Sequence, residues 1–336
     1  MLSPKENYLR ALRHEKNEYV PVRLVDGVSC GFMDAIERGP LGGGYDGFGV
    51  RWVPAAAGGG QPIPAPGEFL LEDVTRWKKT VTIPDLNSVD WESKYENDMA
   101  RLKIDRTTHY LEYGCGNGIF ERLAALMGFE GALIAIATEP DAVNDLFSAI
   151  TGYKIKYAEK AAKFYKPDSF TNFDDVASES NLFISPEVYR TLIKPHHKRL
   201  YDTCRNLGMI PIQHTCGKAE SIVEDIIETG AAAWSSVQPT NDIAGILDKY
   251  GDRLSVEGGY NTNGAPGYEN SPLNIIEAEV ERCFKEYGGK KGYIFSGVLV
   301  RNSIDPAVTL NANKPLLEKA RELREAYVLV QRGAAH

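Results

Sequence analysis

The stretch Met209-Ile-Pro-Ile-Gln-His-Thr-Cys-Gly-Lys218 decides how this chain is read. Met209 to Ile212 is an apolar run with the length and β-branched content of a buried strand, and it stops abruptly at His214, Cys216 and Gly217. Ala219-Glu-Ser-Ile-Val-Glu-Asp-Ile-Ile-Glu228 then carries apolar residues at helical spacing, so the reactive tip lies in a strand-to-helix loop. In an α/β barrel, loops of that kind face the active site. Only one residue separates His214 from Cys216, so an extended backbone aims both the same way, and imidazole with thiolate is a preferred ligand pair for zinc. The plainer alternative is a buried cysteine beside a histidine bonded to backbone.

Outward from this stretch, strand and helix signals alternate. Upstream, Ser185-Pro186 opens a helix that runs to Asn206, and Ser169-Phe-Thr-Asn-Phe173 is a strand ending at Asp174-Asp175. Before that come a long helical region from Asp141 to Tyr165 and the strand Tyr110-Leu-Glu-Tyr113, which meets Gly114-Cys-Gly-Asn-Gly118 and a helix from Ile119. Downstream, Ala231 to Pro239, Arg253 to Gly259 and Gly292 to Val298 read as strands separated by helices. Near the start, Ser3-Pro4 caps an amphipathic helix to Arg13, and Tyr19 to Val25 reads as a first strand ending at Asp26-Gly27. Seven or eight strands in strict alternation with helices imply parallel pairing with right-handed crossovers. No Gly-x-Gly-x-x-Gly opens a helix with an acidic residue in the right place, so a (β/α)8 TIM barrel with an N-terminal helical segment is favoured over an open doubly wound sheet.

Residues 39–68 interrupt the alternation with three Gly-rich patches around Phe48-Gly-Val-Arg-Trp-Val53. This is a long insertion after the first strand that carries a hairpin, read either as a lid near the barrel mouth or as flexible linkage. The chain is expected to form one domain over residues 1–336.

Composition sets outer bounds. With 336 residues, 43% hydrophobic and 25% charged, the chain can bury a large core. A formal net charge of -8 argues against a general nucleic-acid binder, whose phosphate contacts need clustered Lys and Arg. No run approaches about 18 apolar residues and the start has no apolar signal region, so a cytoplasmic protein with no membrane span is expected. Five scattered cysteines, an odd number, suit reduced thiols rather than a disulfide framework.

If the strands close into a barrel, the residues at their tips converge: Asp26, Cys115, Asp174, Asp175, His214, Cys216, Gln238, Glu257 and Ser296. A tip Asp often caps the helix that follows, and Asp175 is read either that way or as functional, with Asp174 preferred for function. The segment Pro4 to His14 with Val20-Pro-Val22 is one of several signatures. With it go Phe173-Asp-Asp175 followed by Phe183-Ile-Ser-Pro-Glu187, the His214-Thr-Cys-Gly217 tip, and Gly251-Asp-Arg-Leu254 with Glu257-Gly-Gly259. Together they resemble the uroporphyrinogen decarboxylase superfamily, especially its corrinoid-dependent methyltransferase branch.

That resemblance implies a barrel with zinc at its mouth, held by the His and Cys of the His-x-Cys tip and a further ligand, commonly a late-strand Cys. His214 and Cys216 match; the late position falls at Val298, which binds no metal. On ligand preference Glu257 is the first substitute and Cys115 the second, ahead of Gln238. The implied function is transfer of a methyl group from a methylated small molecule, most concretely a methyl ether, to cobalamin carried by a separate corrinoid protein. Zinc would act on the leaving heteroatom, or Asp174 or Glu257 would act as general acid. Asp26, Trp234, Gln238 and Tyr260, together with Phe48 and Trp52, are candidates to line the substrate site. Alternatives are a methyl-corrinoid:thiol methyltransferase, a uroporphyrinogen decarboxylase, and a non-catalytic tetrapyrrole- or partner-binding barrel. The decarboxylase is disfavoured because its many-carboxylate substrate calls for an Arg-rich segment, whereas Arg23 to Arg38 holds only those two arginines.

Overall fold

The computed structural model describes residues 2–333. Seven strands form one sheet: β1 (Gly27–Cys30), β2 (Tyr110–Cys115), β3 (Ser169–Phe173), β4 (Ile210–His214), β5 (Ala233–Val237), β6 (Ser255–Gly259) and β7 (Tyr293–Ser296). They lie side by side in chain order, and every pairing is parallel. The sheet closes through a parallel bridge between Val22 and Phe295 of β7, where the Phe295 N–H donates to the Pro21 carbonyl at 2.8 Å. The fold is thus an α/β barrel, with seven strands in the ladder among the described residues.

The first stave differs from the expected Tyr19–Val25 strand. Arg23–Asp26 is a single helical turn, and the strand resumes only at Gly27. Asp26 explains the turn: its Oδ2 accepts the Val22 N–H at 2.7 Å, and its carboxylate is ion-paired with Arg324 of the last helix. Asp26 therefore precedes β1 rather than ending it, and it is fully buried there.

Side-chain parity divides the strands between two layers. Leu111, Tyr113 and Cys115 of β2, Phe170 of β3, Trp234 of β5 and Val256 of β6 point outward into the helices and join the main core. Tyr110, Ile212, Ala233 and Ile294 point inward, where Tyr8, Leu9, Ala11 and Leu12 of the helix Pro4–Leu12 pack against them as a plug. Ser3 caps that helix by accepting the Glu6 N–H at 3.2 Å, and Tyr8 stacks on Tyr110 with centroids 4.3 Å apart. Leu9 and Leu12 of the plug are buried and contribute roughly 1.5–3 kcal/mol each. The plug seals the N-terminal end of the barrel and leaves the strand tips as the open end.

Above the plug the interior is polar. Arg23 donates to Glu112 Oε2 from Nη2 at 2.7 Å and from Nε at 3.1 Å, and Nε also lies 3.2 Å from Glu257 Oε1. Tyr8 Oη donates to Glu257 Oε2 at 2.7 Å. Burial alone would raise both carboxyls; Arg23 and its hydrogen bonds with Ser29 and Thr171 hold Glu112 below its usual value, whereas Glu257 stays above.

The insertion is an ordered three-stranded antiparallel sheet, Gly44–Tyr45, Arg51–Pro54 and Pro62–Pro64. Asp46 organises it: Oδ1 accepts the N–H groups of Phe48 and Val50 at 2.9 Å each, and Oδ2 accepts Trp52 Nε1 at 2.9 Å. Asp46 also pairs with the fully buried Arg122 of the helix Ile119–Met127, whose guanidinium lies 4.1 Å from the Phe48 ring centre. Gly59 and Gly60 press on Val300 and Ile304, beyond β7. The insertion thus rests on segments that leave the tips of β2 and β7.

Candidate functional site

His214 ends β4 with inward parity, and Cys216, two residues on, keeps the same direction. Gly217 turns the chain at φ +82°, and a Cβ there would stand 2.3 Å from the Ser178 carbonyl, so the tip has room only for glycine. Cys216 Sγ lies 3.5 Å from His214 Nε2, and Asp175 Oδ1 lies 3.9 Å from the same nitrogen. The Cys216 N–H donates to Asp175 Oδ1 at 2.7 Å and fixes that carboxylate. One ligand atom from each of Asp175, His214 and Cys216 falls within 4.8 Å of the others, the grouping of this kind found among the described residues.

These residues fit a zinc ion. A tetrahedral site with bonds of about 2.05 Å to nitrogen and about 2.3 Å to sulfur separates those donors by about 3.5 Å, as found between His214 and Cys216. Burial drives the His214 pKa down to about 4, with Asp175 opposing and Arg23 and Arg38 reinforcing, so the imidazole is neutral with a lone pair to give. Burial, with Asp175 adding, pushes the Cys216 thiol far above its ordinary range, so a thiolate there needs a cation beside it.

The structure assigns the neighbouring aspartates differently from the sequence reading. Asp174 Oδ1 accepts the N–H groups of Phe120 and Glu121 at 3.0 Å each, and Oδ2 lies 2.8 Å from His197 Nε2. Asp174 is fully buried and caps the helix after β2, a contact made possible because Gly118 has no Cβ, which would sit 2.1 Å from Asp174. Asp174 thus caps that helix, and Asp175 is the carboxylate that meets His214 and Cys216. Glu257, expected as third ligand, is instead held by Tyr8 and Arg23 one layer below. Cys115 has outward parity: its thiol is buried in the helix layer, 3.1 Å from Lys154 Nζ, beside Glu37. Trp234 also points outward, with Nε1 donating to the Thr215 carbonyl at 2.8 Å. Tyr260 Oη donates to the Pro266 carbonyl at 3.1 Å, and Phe48 and Trp52 are core of the insertion. Gln238 lies half-buried beyond β5, with Oε1 3.5 Å from Asn263 Nδ2, and Val298 takes no part in the ligand cluster.

Several residues at the site went unread in the sequence. Phe173 lies against His214 with ring centres 4.3 Å apart, and Phe32 stacks on Phe173 at 5.7 Å, so this pair forms the aromatic flank. Glu121, in the first turn of the helix capped by Asp174, is pushed up to about 8 by burial and by Asp175, with Arg38 opposing. Arg38 reaches Gln61 Oε1 of the insertion at 3.2 Å, its Nε is buried without a hydrogen-bond partner, and no carboxylate lies within ion-pair distance of it among the described residues. Ser235 and Ser236 face His214 and Cys216 respectively. The available signal was Ser-Ser at one strand end opposite Gly-Gly on the next.

No described helix is long and apolar enough to cross a membrane. A methyltransferase from Methanosarcina mazei shares the fold: 96% of this chain and 99% of that one superpose with a TM-score of 0.70 at 15% identity. Uroporphyrinogen decarboxylases from two strains of Thermus thermophilus are each 30% identical over 198 residues, covering 56% of this chain and 49% of theirs. The chain thus matches about half the length of these curated relatives. Residues 113–299, which run from within β2 through β7 and include every member of the ligand cluster, match uroporphyrinogen decarboxylase (URO-D), and the chain belongs to that family.

Proposed function

We propose that this protein is a methyltransferase that removes a methyl group from a methylated small molecule, a methyl ether in the most concrete version, and passes it to cobalamin on a separate corrinoid protein. The observation that carries the reading is the convergence of His214, Cys216 and Asp175 at one strand tip with donor separations suited to zinc. Those three residues would hold the ion, which when bound supplies a Lewis acid for the heteroatom that loses its methyl group. Phe32 and Phe173 offer a flat apolar flank to the donor. Glu121, whose carboxyl keeps its proton up to about pH 8, stands beside Asp175 and delivers that proton to the leaving oxygen. This is the acid role the sequence suggested for Asp174 or Glu257, both of which are engaged elsewhere.

Decarboxylation of a substrate with many carboxylates is disfavoured by the arginines. Of the two arginines in segment 23–38, Arg23 is engaged between Glu112 and Glu257, which leaves Arg38 to meet an anion. The test is to incubate the purified protein with reduced cobalamin and a panel of methyl ethers, with methyl thiols and uroporphyrinogen in parallel. Methylcobalamin formed from an ether supports the reading, whereas carbon dioxide released from uroporphyrinogen without methyl transfer overturns it.

A further inference from the structure

Alternation along β5 should send Ser235 and Ser236 to opposite faces. It does not, because the ladder to β6 pairs Ser235 with Glu257 and Val237 with Gly258, and skips Ser236. Ser236 is a bulge residue with φ +65°, a left-handed conformation that L side chains rarely adopt and that clusters at functional sites. The partner strand is cut to fit: a Cβ on Gly258 would stand 2.3 Å from the Val237 carbonyl oxygen and 2.6 Å from its nitrogen. The consequence is that two consecutive hydroxyls reach the same cluster. Ser235 Oγ is 3.0 Å from His214 Nδ1, and Cys216 Sγ donates to Ser236 Oγ at 3.3 Å.

The direction of the first bond follows from distance. A neutral imidazole has one N–H to give. The Ser235 hydroxyl oxygen stands 3.0 Å from Nδ1, whereas Nε2 faces the Cys216 sulfur at 3.5 Å and Asp175 Oδ1 at 3.9 Å, too far for a hydrogen bond to oxygen. The hydrogen therefore sits on Nδ1, where the hydroxyl oxygen accepts it. The Nε2 lone pair is then the one facing Cys216 Sγ and Asp175 Oδ1. We propose that the bulged pair Ser235–Ser236 consists of positioning residues, Ser235 locking His214 in the Nδ1–H tautomer with Nε2 free to bind, and Ser236 orienting the sulfur of Cys216. The proposal rests on the reading of His214, Cys216 and Asp175 as a metal centre. Simple burial of two serines does not explain the bulge, since a regular strand would satisfy their backbone groups without the strained residue.

The experiment uses the full chain, metal-free, with nitrogen-labelled histidine, and reads the His214 tautomer from long-range proton–nitrogen spectra. The wild type is expected to show Nδ1–H, and Ser235→Ala to move towards Nε2–H with an unchanged far-ultraviolet spectrum. In a cobalt(II) titration, Ser235→Ala is expected to bind about 10–100-fold more weakly, as loss of a partner behind a ligand does. Ser236→Ala keeps the tautomer and shifts the sulfur-to-cobalt absorption band. A wild-type His214 protonated on Nε2, or a Ser235→Ala protein that binds cobalt within about twofold of wild type against the about tenfold minimum expected, overturns the proposal. A wild type that binds no cobalt but loses Nδ1–H in Ser235→Ala removes the metal-centre reading and still supports the positioning role.

Discussion

Replacing Asp174 separates a structural carboxylate from a reacting one. Its two oxygens receive the Phe120 and Glu121 N–H groups and face His197 Nε2, all in a site with no solvent exposure. Asp174→Ala removes a helix cap, worth about 1–2 kcal/mol, and strands buried donors, each costing about 1–3 kcal/mol; with partial relaxation the loss should be about 3–4 kcal/mol. Asp174→Asn keeps one oxygen for the two amides and sets a neutral amide against His197, so its loss should be smaller, about 1–2 kcal/mol. Urea unfolding followed by circular dichroism gives these differences if the slope of free energy with urea is unchanged. Methyl transfer measured on the same Asp174→Asn sample should stay within about threefold of wild type, because general acid catalysis typically contributes at least about 10²-fold and this residue does not supply it. An Asp174→Asn protein that is as stable as wild type yet about a hundredfold slower would refute this assignment.

Two further outcomes follow from buried charges. Arg122 and Asp46 are both fully buried, so Arg122→Met leaves Asp46 unpaired in the insertion and should cost about 3–5 kcal/mol, read as a lower urea midpoint; a loss below about 1 kcal/mol would contradict the docking described for the insertion. Glu121 keeps its proton to about pH 8 in the folded protein, whereas an unfolded glutamate releases it near 4.5. The native state therefore binds more protons in that window, and its stability falls as pH rises through it. Glu121→Gln should flatten this fall, so in metal-free protein the variant gains on wild type as the pH of thermal melts is raised from 4.5 to 8. Parallel pH profiles would show that the carboxyl is not perturbed.

The barrel was legible because its signals are local. The strands expected around Tyr110–Tyr113, Ser169–Phe173 and Met209–Ile212 all appear, with ends shifted by a few residues. What the sequence hid depends on contacts far apart in the chain. The first strand breaks at Arg23–Asp26 because Asp26 meets Arg324, 298 residues away. Asp174 turns away from the ligand cluster because it caps a helix through the Phe120 N–H, 54 residues upstream, and not the helix after its own strand. Cys115 and Glu257 stand apart from the ligand cluster for a different reason. Position near a strand tip does not give direction or depth, and parity turns Cys115 outward while the Tyr8 plug holds Glu257 in the layer below the mouth. The bulge at Ser236 breaks the very alternation from which a sequence is read.

The central claim is that Asp175, His214 and Cys216 hold a metal ion, and metal analysis across four purified proteins tests it most directly. The wild type should carry about one zinc per chain, Cys216→Ala and Asp175→Asn should lose most of it, and Glu257→Gln should keep it, since its carboxylate lies outside the cluster. Zinc that survives Asp175→Asn but disappears in Glu257→Gln would contradict the account and restore Glu257 as the third ligand.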